Sequence, residues 1–254
     1  MEPVYSSVIA LARGVFALQG LRFTINGVEN VPSAGGAVMA INHTGYMDFT
    51  YAGLAGLQAG RLIRFMAKEQ VFRHPVSGPL MRGMHHIPVD RDAGAASYRA
   101  AVQALKAGEI VGVFPEATIS RSFELKEFKT GAVRMAAAAG VPLLPMIIWG
   151  SQRVWTKDHP KRLGRTRTPI VISIGAPIPV NRKDAPEVAL RALRKAMTEL
   201  LHAAQDAYPP LTGDELKFLP ARLGGAAPTP EQAQRLDEVE SAARAAKRAG
   251  PAPD

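Results

Sequence analysis

The stretch GAVMAINHTGYMDFTYAGL, residues 36–54, decides how the chain folds. Its first half, "GAVMAIN", is apolar up to Asn42 and reads as a short strand buried on both faces. Its second half predicts a helix from near Met47 to Gln58. A histidine, His43, stands where the strand ends, and an aspartate, Asp48, follows after four residues. A strand that is apolar throughout and leads into a helix is the repeating step of an α/β domain with a parallel sheet.

The same alternation continues on both sides. Strands are expected in "LRFTIN", "LIRFMAK", "MHHIPVD", "EIVGVFP", "VPLLPMIIWG" and "PIVISIG". Helices are expected in "GAASYRAAVQALKAG", stopped by Gly108, in "GAVRMAAAAG", and in the long amphipathic "APEVALRALRKAMTELLHAAQDA". "EQVFRHPVSGPLMRG" reads as helical pieces broken by Pro75 and Pro79. The expected fold class is α/β, a mostly parallel mixed sheet covered by helices. From about Tyr208 the chain turns to Pro- and Gly-punctuated loop and then a charge-mixed helix. Three regions follow: an N-terminal amphipathic helix over 1–21, a main domain over 22–207, and a C-terminal loop and charged helix over 208–254.

With 254 residues, 47% of them hydrophobic, the chain can bury a sizeable core. It has no cysteine, which excludes disulfides, thiolate metal sites and cysteine nucleophiles. The formal charge of +9 points to anionic partners: nucleic acid, anionic lipid or phosphorylated small molecules. Aromatics make up only 6%, which argues against single-stranded nucleic acid, a ligand that wants stacking platforms.

In the first segment Val4, Val8, Leu11, Val15 and Leu18 recur at helical spacing, and Tyr5, Ile9, Ala12 and Phe16 widen that face. Arg13 in the middle argues against a spanning helix, and no basic leader or cleavage site marks a signal peptide. Two readings stay open: a helix packed on the domain's own core, and a helix lying in a membrane interface.

Sites in α/β sheets lie beyond the carboxyl ends of strands. His43 is at such an end, where a neutral imidazole can take a proton from a hydroxyl. Asp48 can accept from the other ring nitrogen and stabilise the cation that forms, as the aspartate of a catalytic triad does. No serine stands in a Gly-x-Ser-x-Gly elbow, so the hydroxyl that is activated belongs to the substrate. The spacing alone also fits a capped loop. His85 and His86, adjacent on an expected strand, point to opposite faces, and no metal site is expected.

Other strand ends add anion-binding chemistry. "IPVDR" ends in Arg91, and "FPEATISRS" carries Glu116, Thr118 and Arg121. Arginine's planar fork matches phosphate oxygens. Together these stretches resemble the glycerolipid acyltransferase family, in particular its bacterial 1-acylglycerol-3-phosphate acyltransferases. Asn42, His43 and Asp48 match the family's Asn-His-x4-Asp motif. "IPVDR" matches its second motif. Phe114, Pro115, Glu116, Thr118 and Ser120 match part of Phe-Pro-Glu-Gly-Thr-Arg-Ser, and Val141, Pro142 and Pro145 match Val-Pro-x-x-Pro. The order agrees over about residues 22 to 180. Two departures stand out: the third-motif glycine is Ala117, and its arginine is Ile119.

The resemblance implies acyl transfer from acyl-CoA or acyl-ACP, entering as co-substrate with no cofactor, to the sn-2 hydroxyl of 1-acylglycerol-3-phosphate. It implies His43 as base, Asp48 as its orienting carboxylate, Glu116 and Thr118 near the acceptor, and Arg91, Arg121 and Lys68 as candidates for its phosphate. Backbone N–H groups near Thr44 and Gly45, or in the "FPEAT" turn, are candidate oxyanion donors. The expected partners are a lysophospholipid, an acyl thioester, acyl carrier protein and an anionic membrane surface, not nucleic acid. The expected location is peripheral or monotopic, on the cytoplasmic face of the membrane. "SQRVWTKDHPKRLGRTR" (151–167), with six Lys/Arg and one Asp, suits such a surface or the phosphates of CoA. Ile119 keeps glycerol-3-phosphate and other lysophospholipids open as acceptors. A non-enzymatic basic protein is the remote alternative.

Overall fold

The structure is a computed structural model describing residues 2–90 and 94–249, without the side chains of 247–249. The chain divides into two compact units. One comprises Met1–Ile119 and Glu127–Tyr208, the other Ser120–Lys126 and Pro209–Asp254.

The first unit is built on seven strands: β1 (Arg22–Asn26), β2 (Ala37–Ile41), β3 (Ile63–Lys68), β4 (Ile87–Val89), β5 (Ile110–Val113), β6 (Leu143–Trp149) and β7 (Pro169–Ile174). Their order in the sheet is β1-β7-β6-β2-β5-β3-β4. All neighbours are parallel except β6 and β7. The expected mostly parallel mixed sheet is therefore present.

Helices α1 (Pro3–Gln19) and α2 (Asp48–Gln58) pack on one face. There Phe16, Tyr51, Ala52 and Ala55 meet Met39, Ile41, Leu144, Met146 and Ile148 in one cluster. Helices α3 (Glu69–Arg73) and α4 (Ser77–Gly83) follow β3. Helices α5 (Gly94–Lys106), α6 (Gly131–Ala139) and α7 (Pro186–Asp206) contact one another and the sheet. With both faces covered, every residue of β2 and β6 is buried, which is why those strands read as unbroken apolar runs. β2 lies between β5 and β6 and runs parallel to both. The segments leaving all three strands thus emerge side by side at one edge of the sheet.

Two local expectations change. The break in "EQVFRHPVSGPLMRG" falls at Pro75 alone. Pro79 lies in the first turn of α4, where a missing N–H removes no helical bond. The expected strand "MHHIPVD" shortens to Ile87–Val89. His85 is left-handed (φ 55°), and the His86 N–H closes a turn on Met81 C=O. The two histidines therefore precede the strand. His85 is exposed and His86 is buried.

Helix α1 has both a packed and an exposed apolar stripe. Tyr5, Phe16 and Gln19 are buried, while Leu11 and Leu18 are 69% and 78% exposed. Glu2 and Tyr5 fasten its start: Glu2 pairs with the buried Arg64 of β3, and the Tyr5 hydroxyl donates to Ile63 C=O. Among the described residues no helix is long and apolar enough to cross a membrane.

The second unit carries α8 (Pro230–Ala249), preceded by 3-10 turns at Gly213–Phe218 and Ala221–Leu223. This is the charge-mixed helix expected from the sequence. Leu236 and Val239 are exposed, yet Asp237 and Glu240 form ion pairs with Arg121, and Asp237 also pairs with Lys126.

Candidate active site

β2 ends at Ile41, but its ladder continues one residue further. Asn42 N–H donates to Met146 C=O at 3.3 Å. Its side-chain amide then accepts from Ile148 N–H at 2.7 Å and donates to Ile148 C=O at 3.0 Å. Asn42 thus acts as a strand residue through its side chain and frees the main chain to turn. His43, the next residue, donates its N–H to Glu116 Oε1 at 2.9 Å. Glu116 lies in the turn that leaves β5. The two strand ends are joined at the backbone of the histidine.

The chain then turns through Thr44–Met47 and enters α2 at Asp48. The Asp48 side chain reaches back over that turn. Its Oδ2 accepts from Thr44 N–H (2.8 Å) and Gly45 N–H (2.9 Å), and lies 2.9 Å from His43 Nδ1. Asp48 is fully buried, and a buried carboxylate needs such donors. An ionised carboxylate only accepts, so Nδ1 carries the proton of His43 and Nε2 is the basic nitrogen. The imidazole also stacks on Phe114, with centroids 4.2 Å apart and planes at 27°. One face and one nitrogen of the ring are therefore fixed. The side chain keeps 20% exposure, and no described residue bonds Nε2. The expected base and orienting carboxylate stand together, although the four-residue gap is spanned by a tight turn rather than by helix.

The family model described as Acyltransferase matches residues 22–149, which contain this dyad. The chain belongs to the acyltransferase family. It is 37% identical over 123 residues to a 1-acyl-sn-glycerol-3-phosphate acyltransferase of Bacillus subtilis, covering 48% of this chain and 60% of that protein. It is 30% identical over 175 residues to a protein of the same name from Limnanthes douglasii, covering 67% and 58%. The chain thus spans about 60% of the length of these relatives. Its fold is similar to the crystal structure of the 1-acyl-sn-glycerophosphate (LPA) acyltransferase PlsC from Thermotoga maritima. There the TM-score is 0.68 at 21% identity over 81% of each chain.

In this acyltransferase-family chain the other expected site residues fall in different places. Glu116 is buried at the dyad and holds the His43 backbone. Thr118 is half-buried in the following loop. Lys68 is exposed at the carboxyl end of β3. Arg91 lies outside the described residues. Arg121 belongs to the second unit, where Asp237 and Glu240 take up its guanidinium. Ile119, in place of the family arginine, is buried at 3% exposure. Ala117, in place of the glycine, has φ 62°, the left-handed region that glycine enters without strain. The Ala117 N–H closes the turn on Phe114 C=O.

The Thr44 and Gly45 N–H groups are not free to hold an oxyanion, because both are spent on Asp48. A residue that sequence reading does not single out completes the dyad: Ser151, just beyond β6, donates to Asp48 Oδ1. Its only signal is a serine after a buried strand, and the strand order that makes β6 a neighbour of β2 cannot be read from the sequence. Among the described residues no group of three His, Cys, Asp or Glu is placed to hold a metal ion.

Proposed function

We propose that this chain transfers a fatty acyl group from an acyl thioester to the sn-2 hydroxyl of 1-acylglycerol-3-phosphate, forming phosphatidic acid. The observation that carries the reading is the His43–Asp48 pair, whose basic Nε2 has no hydroxyl or thiol as partner among the described residues. The hydroxyl it activates is then the acceptor's own. His43 Nε2 takes the proton as the hydroxyl oxygen attacks the thioester carbonyl. Asp48 holds the ring and stabilises its cation. The tetrahedral intermediate collapses, the carbon–sulfur bond breaks, and the leaving thiolate takes the proton from His43. The relatives named as 1-acyl-sn-glycerol-3-phosphate acyltransferases support this acceptor. Arg91 and Lys68 are the proposed contacts to its phosphate, with Thr118 beside it. Glu116 acts by fixing the His43 backbone.

A second acceptor reading rests on Ile119. A buried isoleucine cannot bind a phosphate, so a lysophospholipid whose head group is not a bare phosphate monoester is the competing acceptor; glycerol-3-phosphate, which carries the same phosphate, is the other alternative acceptor. The donor is acyl-CoA or acyl carrier protein.

The proposed working place is an anionic membrane surface on its cytoplasmic face. The exposed stripe of α1, with Leu11, Val15 and Leu18, supports this. So does the basic segment bonded to the end of that helix: Gln19 Nε2 donates to Leu163 C=O and Arg167 N–H donates to Gln19 C=O. Each basic group at such a surface contributes about 1 kcal/mol.

The test is release of free thiol from palmitoyl-CoA with 1-acylglycerol-3-phosphate, glycerol-3-phosphate or lysophosphatidylcholine in turn, beside His43→Ala. The expected result is release with the lysophosphatidate and a loss of at least about 10² in rate in the variant. Folded His43→Ala protein with near wild-type turnover would overturn the mechanism. Release with only another acceptor would reassign the substrate.

A further inference from the structure

Behind the dyad lies a pair of buried hydroxyls. Ser151 is fully buried, and its hydroxyl donates to Asp48 Oδ1. Thr44 Oγ1 lies 3.2 Å from Ser151 Oγ and is buried too. Since the Ser151 proton is spent on the carboxylate, its oxygen accepts from Thr44. The order is then Thr44 O–H to Ser151 and Ser151 O–H to Asp48, which on its other oxygen accepts from His43 Nδ1–H.

The two oxygens of Asp48 are held unequally. Oδ2 takes two backbone N–H groups and His43, whereas Oδ1 has Ser151 as its one partner among the described residues. Without that donor Oδ1 would be a buried charged oxygen with no hydrogen bond, and the carboxylate would turn to share the amides between its oxygens. The bond to His43 Nδ1 would be lost or bent.

The surroundings are built to keep Ser151 there. Thr156 Oγ1 donates to Thr44 C=O at 2.7 Å, and Tyr46 N–H donates to Trp155 C=O at 2.9 Å, so segments 44–46 and 151–156 are bonded together. Gly45 lies so close that a Cβ there would meet Ser151 Oγ at 2.7 Å. The glycine between the histidine and the aspartate is thus required by the serine on another strand end.

We infer that Ser151 is a positioning residue of the acyl-transfer site: its hydroxyl fixes the rotation of the Asp48 carboxylate and so the orientation of the basic imidazole. Ser151 is no nucleophile, because it faces the carboxylate and not His43. The inference rests on the proposed role of His43 as base.

The test is Ser151→Ala in the full chain, in the thiol-release assay and by proton NMR of the His43 Nδ1–H. The expected result is a kcat lowered about ten- to hundredfold. The KM for donor and acceptor stays within twofold, and the Nδ1–H resonance is shifted or lost. Ser151→Cys, of similar volume and with a weaker donor, should fall between wild type and alanine, and decides the matter if the alanine variant does not fold. A folded Ser151→Ala or Ser151→Cys with wild-type kcat and an unmoved resonance overturns the inference. If His43→Ala is also active, the base itself is wrong. If only His43→Ala is dead, Ser151 alone has been misassigned.

Discussion

The side-chain amide of Asn42 is bonded to both main-chain groups of Ile148, at 2.7 and 3.0 Å. The amide thereby replaces one peptide unit of the β2–β6 ladder and sets where His43 leaves the sheet. Asn42→Ala leaves the Ile148 N–H and C=O buried without that partner. The expected loss is about 1–3 kcal/mol of stability. A drop in kcat should accompany it, because His43 loses its anchor. Urea denaturation read beside thiol release checks both.

Arg64 is 4% exposed and holds Glu2 and Glu109 as well as Met84 C=O. It ties the start of α1 to the sheet and to the turn after α4. Arg64→Ala removes these bonds but leaves two carboxylates, 30% and 37% exposed, that water can reach, so the expected loss is about 1–3 kcal/mol. Glu2→Gln, at the half-exposed end of the network, should cost much less. Denaturant midpoints of the two variants give the comparison.

His86 gives stability a dependence on pH. Its Nδ1 accepts from Phe65 N–H at 3.1 Å, and Tyr5 and Phe65 pack edge-on against the ring. Burial, then the neighbouring Arg64, push its pKa down to about 4. In the unfolded chain a histidine titrates near 6.5, so between those values the unfolded state binds the extra proton. Stability is therefore whole above about pH 6.5, falls by up to about 3 kcal/mol as the pH drops toward 4, and then levels off for this group. His86→Asn, which keeps an acceptor for Phe65 N–H but cannot titrate, should flatten the curve of urea midpoint against pH in that window. An equal slope in both proteins would assign the dependence to another group.

Ala117 holds a left-handed backbone in the turn after β5. A residue with a Cβ pays about 1–2 kcal/mol there, while glycine adds about 0.4–1 kcal/mol of unfolded-state entropy. Ala117→Gly should therefore raise stability by about 0.5–1 kcal/mol. A thermal scan with an unchanged or lower midpoint would show that the turn tolerates alanine without strain.

Much of the fold was legible because burial on both faces leaves a plain mark. "AVMAI" and "LLPMIIW" are apolar at every position, and the strands they form are buried at every position. The dyad was legible because His43 and Asp48 lie within one short turn of the same chain. Less was legible where a residue's meaning depends on another element. Leu11 and Leu18 share a helix with Tyr5 and Phe16, yet only the packing separates an exposed stripe from a buried one. Arg121 reads as a phosphate ligand by its place after "FPEATIS", but Asp237 and Glu240, more than a hundred residues later, hold it.

The sequence by itself determined the alternation of strands and helices, the nearness of His43 and Asp48, and the two departures at Ala117 and Ile119. These follow from local periodicity and from residues close together in the chain. Only the tertiary structure decided the strand order, and with it that the ends of β2, β5 and β6 meet. Glu116 on the His43 backbone, Asn42 on Ile148 and Ser151 on Asp48 all depend on that order. Each bond joins residues 73 to 106 positions apart. Such contacts are set by which strands pair, a choice made by the burial of whole faces and not by any short stretch of sequence.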